Sequence, residues 1–115
     1  MASVKRQTVW VLLVACLWLV SGTAYGESVF VKYRGQVSLS GFTCEYTSSS
    51  FVNRICYRPD ARYLVVLLGD TYYHYCRVPE GVVEAWLGSS SKGRFYNYEI
   101  KGSYDCRQGG LPTDG

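Results

Sequence analysis

Residues 63–88 read YLVVLLGDTYYHYCRVPEGVVEAWLG, an order that predicts a strand, a tight turn, a second strand and a helix. Tyr63 to Leu68 is apolar at odd and even positions alike, so that strand needs cover on both faces of its sheet. Gly69-Asp70 supplies the flexible pair of a hairpin turn. Thr71 to Cys76 then alternates, with Tyr73 and Tyr75 on one face and Tyr72, His74 and Cys76 on the other. Pro79 ends the strand because it has no N–H to give, and it suits the first turn of a helix. Val82, Val83, Trp86 and Leu87 recur at helical spacing as far as Gly88.

The pattern extends in both directions. FVNRICY (51–57) predicts a strand that leads through the turn RPDAR into residue 63, so three strands form a meander. SVFVKYR (28–34) alternates and predicts an N-terminal strand with one wet face. GQVSLSGFTCEYTSSS (35–50), rich in serine and glycine, reads as an ordered loop held by Cys44. After Gly88, Phe95 with Tyr98 and Tyr96 with Ile100 fit a second short helix, although alternation over 92–101 also fits a strand. The expected fold is α+β: a small antiparallel sheet, a β-β-β meander plus an N-terminal strand, with one or two short helices packed on one face. The N-terminal strand is expected to cover the other face. Residues 107–115 read as a flexible tail.

The first 24 residues predict export. Lys5 and Arg6 precede 13 apolar-rich residues, Thr8 to Val20, and the small residues Gly22 and Ala24 suit cleavage before Tyr25. That run falls short of the roughly 20 residues needed to span a bilayer, so no stable membrane insertion is expected after cleavage. A lipoprotein reading through Cys16 is the alternative, but LWLV continues the apolar run past that cysteine. A secreted or periplasmic location follows. Cleavage leaves 115 − 24 = 91 residues and removes two of the 12 basic residues against 9 acidic ones, for a net charge near +1. Such a chain has no long-range field with which to gather a polyanion.

A 91-residue domain buries only about 60–65% of its unfolded surface and gains from staples. Cys44, Cys56, Cys76 and Cys106 remain after cleavage, an even count that predicts two disulfides in an oxidising compartment. Their spacings lack the close pairs of a zinc site. If strands 51–57 and 71–76 flank 63–69, Cys56 and Cys76 stand two strand spacings apart, roughly 9.6 Å. That exceeds the roughly 7 Å limit for a bridge. Cys44–Cys56 with Cys76–Cys106 is the favoured pairing, the first being a short local closure.

From Ser50 to Tyr104 the chain resembles the KTSC domain, named for the C-terminus of some lysyl-tRNA synthetases. The resemblance rests on Val52, Ile55 and Tyr57, on Leu64, Val66, Leu68 and Gly69, and on the Y-x-Y pair Tyr73 and Tyr75. Val78-Pro79, Leu87, Ser91-x-Gly93, Phe95, Asn97 and Ile100 complete it. It implies one domain over residues 50–106, preceded by an extension at 25–49. For function it implies a suggested RNA-binding role. The export signal, the extension and the four cysteines set this chain apart.

The chemistry-bearing residues have plain structural readings beside them. Tyr73 and Tyr75 could stack bases, but aromatics at strand spacing usually pack, here under the helix. His74 and Cys76 share a face, which invites a cysteine–histidine nucleophile, yet a cysteine held in a disulfide is no thiolate. His74, Arg77, Lys92 and Arg94 are the basic side chains from which a modest surface patch could form. No phosphate loop, metal cluster or cofactor pattern stands in the sequence. The expectation is a binding module rather than an enzyme, with an envelope or extracellular protein or polymer as partner. RNA binding is the alternative from the resemblance, and a small cysteine–histidine enzyme is a third.

Overall fold

The computed structural model describes residues 26–108; the expected export signal, Cys16 and the expected tail after Gln108 lie outside them. Six strands follow in order: β1 Ser28–Val31, β2 Gly35–Ser38, β3 Thr43–Tyr46, β4 Val52–Arg58, β5 Tyr63–Leu68 and β6 Thr71–Tyr75. Helix α1 spans Glu80–Leu87, and α2, Lys92–Phe95, continues into a π-helical turn at Tyr96–Ile100. The strands form one sheet in the order β2-β1-β6-β5-β4-β3.

The meander runs β4-β5-β6, antiparallel throughout, as its alternation and turns require. Gly69 takes φ 60°, the left-handed value that the tight β5–β6 turn needs. Beside that turn, Asn53 bulges out of β4 between Val52 and Arg54, and its amide donates to the Gly69 carbonyl at 2.7 Å.

The sheet is larger than expected and mixed. β1 joins β6 in parallel through one residue pair, Val31 with Tyr72, and every other pairing is antiparallel. The segment 35–50, expected to be a loop, supplies both edge strands. Each is four residues long with little apolar signal: β2 buries Val37, and β3 buries none of its residues fully. Serines between the few apolar positions masked a period of two. The N-terminal strand thus extends the sheet edge rather than lying flat across a face, although its valines still reach the layer opposite the helices.

Two apolar layers flank β5. On the helix side Leu64 and Val66 pack with Ile55, Val83, Trp86, Tyr96 and Ile100. On the other side Tyr63 and Val65 pack with Val29, Val31, Val37 and Leu39 and with three of the cysteines. Both disulfides form in the favoured pairing, Cys44–Cys56 and Cys76–Cys106. The first joins directly opposed residues of β3 and β4. The second fixes the segment after α2 against the end of β6. There Cys76 N–H also donates to the Tyr104 carbonyl at 3.0 Å.

Arg54 is a buried charge on the face away from the helices. Its guanidinium grips the Glu27 carboxylate through two bonds, 2.7 and 2.8 Å, and donates to the Tyr72 hydroxyl at 3.1 Å. Its partner's carboxyl is thereby held below the usual carboxylate range. A buried guanidinium needs such partners to offset its lost hydration.

Candidate functional site: two clefts on one sheet

The wider cleft, about 960 Å³, lies between the β3–β4 loop and the start of α2. Local bonds set both walls. On the strand side, the Thr47 hydroxyl donates to the Val52 carbonyl and Ser49 Oγ accepts from Val52 N–H at 3.3 Å. On the helix side, Ser91 caps α2 by accepting from Arg94 N–H at 3.3 Å. Lys92 is held twice: its carbonyl accepts from Trp86 Nε1–H at 2.9 Å, and its Nζ donates to the Ser89 carbonyl at 2.6 Å.

Between the walls, Phe51 lies so close to Gly93 that a Cβ there would stand 2.6 Å from the ring. Real Cβ atoms do not approach a neighbour that closely, so glycine at 93 lets the loop close on α2. Arg94 and Tyr98 are exposed at the rim, Tyr98 by 79%, and the Arg94 side chain has no hydrogen bond or ion pair among the described residues. Serine hydroxyls, Asn97 and Glu45 complete a mainly polar lining. The arrangement offers hydroxyl and amide hydrogen bonds, one unspent guanidinium and the exposed rings of Tyr46 and Tyr98.

The narrower cleft, about 560 Å³, opens beside β6, between the β1–β2 turn and Gly102–Arg107. Tyr33, Tyr73, Tyr75 and Tyr104 wall it, with His74 at its strand side. Tyr33 is 84% exposed and holds φ 72°, a left-handed backbone that costs a residue with a Cβ of order 1 kcal/mol. Lys32 Nζ lies 5.3 Å from the Tyr33 ring centre and 5.8 Å from that of Tyr73. Asp105 pairs with Arg107 at 2.7 Å, and that guanidinium holds its carboxyl down to about 2.

The structure therefore separates the four basic candidates. Lys92 and Arg94 line the wide cleft, His74 lines the narrow one, and Arg77 beside it donates to the Asp105 carbonyl at 2.7 Å. The Y-x-Y tyrosines divide as well. Tyr75 packs under the helices and its hydroxyl meets that of Tyr96 at 2.7 Å; burial pushes its phenol up. Tyr73, expected beside it in the core, is half-buried and lines the narrow cleft, which Tyr75 also borders, but it does not join the helix-side core. His74 Nδ1 shares a hydrogen bond of 2.8 Å with the Tyr63 hydroxyl. Burial, with the Arg34 cation behind it, lowers the imidazole pKa. Cys76 is committed to Cys106 and cannot serve His74 as a thiolate. Among the described residues no three His, Cys, Asp or Glu side chains gather to hold a metal.

Sequence reasoning missed the wide cleft's strand wall, since TSSS at 47–50 reads as an unremarkable loop. The signal available was Gly93 inside an otherwise helical stretch, a residue that invites the question of what approaches it.

A family model for the KTSC domain matches residues 48–104, from the cleft's serine loop to Tyr104. The crystal structure of a KTSC domain protein from Yersinia pestis is 34% identical, with a TM-score of 0.53. The match covers 56% of this chain and 92% of that one. This chain belongs to the KTSC domain family. No curated protein matches it. The KTSC match begins at Ser48, after β1, β2 and β3, so these strands and Cys44 are additions to the KTSC sheet. Ser91, Gly93 and Asn97, three of the residues that carry the resemblance, all line the wide cleft.

Proposed function

We propose that the mature protein is an exported, disulfide-stapled binding module that uses the wide cleft to hold a polymer of the cell surface. The observation that carries this reading is the pairing of an unspent Arg94 guanidinium with the exposed Tyr98 ring over a hydroxyl-lined cleft of about 960 Å³. Such a surface recognises a ligand that presents many polar groups and few charges. Two disulfides favour an oxidising compartment. No helix among the described residues is long and apolar enough to cross a membrane. A binding role rather than a catalytic one is supported by Cys76 in its disulfide and by His74 turned to Tyr63.

RNA fits the cleft less well. Its charged lining is Lys92 and Arg94 against Glu45, a net of one positive charge for a ligand with one phosphate per nucleotide. The deciding experiment is co-sedimentation of the oxidised protein with the insoluble envelope fraction. The expected result is retention of the parent and loss of most retention in Arg94→Ala/Tyr98→Ala, with unchanged melting. Retention that ignores the double substitution sinks the cleft, and no retention of the parent sinks the polymer.

A further inference from the structure

The main chain of β6 has an unused place in its outer edge. Lys32 N–H donates to the Tyr72 carbonyl at 2.9 Å, and Cys76 N–H donates to the Tyr104 carbonyl at 3.0 Å. Both bonds leave β6 on the side away from β5. The main-chain groups of a strand alternate sides with a period of two. His74, midway between Tyr72 and Cys76, therefore aims its N–H and C=O to that same side, while Tyr73 and Tyr75 face β5. β1 pairs with β6 only at Val31–Tyr72, and no main-chain bond of the described residues reaches His74 from this side. One rung of the ladder stands open.

The open rung lies on the narrow cleft. Tyr33 turns the chain away from β6 on one side of it, and Gly102–Asp105 passes on the other. The walls are phenol rings, and Lys32 is the cation left over once Arg107 has paired with Asp105. We propose that this cleft captures an extended, acidic peptide segment of a partner protein, which adds one rung to β6 at His74.

The segment's C=O accepts from His74 N–H and its N–H donates to the His74 carbonyl, the main-chain pairing of strand addition. Its side chains on one face lie against Tyr33, Tyr73 and Tyr104, where β-branched or aromatic groups pack best. The charge complement is a Glu or Asp reaching Lys32, which leaves its position over the two rings to meet it. This site is separate from the wide cleft and stands whether or not that cleft holds a polymer.

The test uses ¹⁵N-labelled, oxidised protein titrated with the acetylated, amidated pentapeptide Thr-Val-Glu-Val-Thr up to about 5 mM, the range of a weak single-rung contact. The expected result is a saturable downfield shift of the His74 amide proton, with slower solvent exchange there and shifts at Tyr33 and Tyr104. Lysine in place of the central glutamate should weaken binding about tenfold, the effect of losing one charge-assisted bond. Lys32→Ala should abolish that preference. N-methylation of the central residue should remove the His74 response.

Each other result overturns the proposal. No His74 response, or one indifferent to N-methylation, removes the strand addition. A His74 shift that grows with protein concentration alone assigns the rung to a second copy. A response that appears only after truncation at Gln108 assigns it to the chain's own tail.

Discussion

Gly93→Ala tests the contact that closes the wide cleft. Two effects oppose each other. Alanine gains up to about 1 kcal/mol over glycine inside a helix. Against that, the new methyl meets Phe51 Cε1 at 2.6 Å and Cζ at 3.3 Å. Phe51 cannot simply swing away, since its ring packs edge-on against Tyr96 at 5.9 Å and closes on α2. Overpacking of this kind costs about 1–3 kcal/mol, so the contact outweighs propensity and the variant should lose about 1–2 kcal/mol. Phe51→Leu removes the ring edge and by itself costs about 1 kcal/mol. In that background Gly93→Ala should turn stabilising, by about 0.5 kcal/mol, giving a coupling of roughly 1–3 kcal/mol across the cycle. Urea denaturation of the four oxidised proteins measures it. Additivity within about 0.5 kcal/mol, or a stabilised single variant, would refute the argument that glycine is present for closeness rather than for flexibility.

Non-reducing peptide mapping should recover Cys44–Cys56 and Cys76–Cys106; loops of 12 and 30 residues imply losses of about 3 and 3.6 kcal/mol when each pair becomes alanine. A linked Cys56–Cys76 peptide would contradict the strand order. Deleting residues 25–43 uncovers Val65 and should lower the melting temperature by at least about 10 °C, whereas an unchanged curve would show that β1 and β2 contribute nothing to the core. Because the folded imidazole of His74 titrates below the ordinary value of about 6.5, the unfolded chain binds more protons in that range. Stability should therefore fall as pH drops below about 6.5, and His74→Gln should flatten that part of the urea-midpoint profile; a parallel profile would contradict it. Anisotropy of the protein lacking residues 1–24, of net charge near +1, with labelled single-stranded RNA near about 150 mM salt should show no binding tighter than about 100 μM. Micromolar binding abolished by Tyr73→Ala would restore a nucleic-acid role.

The meander, the first helix and the disulfide pairing were legible from local signals: the two-parity apolar run at 63–68, Pro79 before a helical period, and a spacing limit on sulfur bridges joined to a short local closure. The second helix was not, since residues 92–101 fit helix and strand periods alike. β2 and β3 were not legible, since edge strands bury one face poorly and Gln36, Ser38 and Thr43 do not differ from loop residues. The parallel step from β1 to β6 lies beyond periodicity altogether, because no local pattern states which strand a strand will choose. The same limit applies to the clefts. Alternation placed Tyr73 and Tyr75 on one face correctly, but it could not show that both would border a cleft while only Tyr75 packs against the helix-side core. Lys92 and Arg94 were picked out as charges, while their setting depends on Phe51, 41 positions upstream of Lys92.

The single parallel contact, Val31 with Tyr72, joins residues 72 − 31 = 41 apart, and it orders events in time. A chain emerging from its N-terminus delivers β1 and β2 first, but their seat on the sheet is not built until β6 has appeared. The meander and helices make mostly near-neighbour contacts and can assemble without them, which is the fast route for a small domain. Val29, Val31 and Val37 must meanwhile wait without the sheet's apolar layer, held at most in an isolated two-stranded hairpin, which is only marginally stable. The N-terminal addition to the KTSC sheet is thus made first and seated last, so the unseated hairpin is the stretch most exposed to wrong partners while the protein folds.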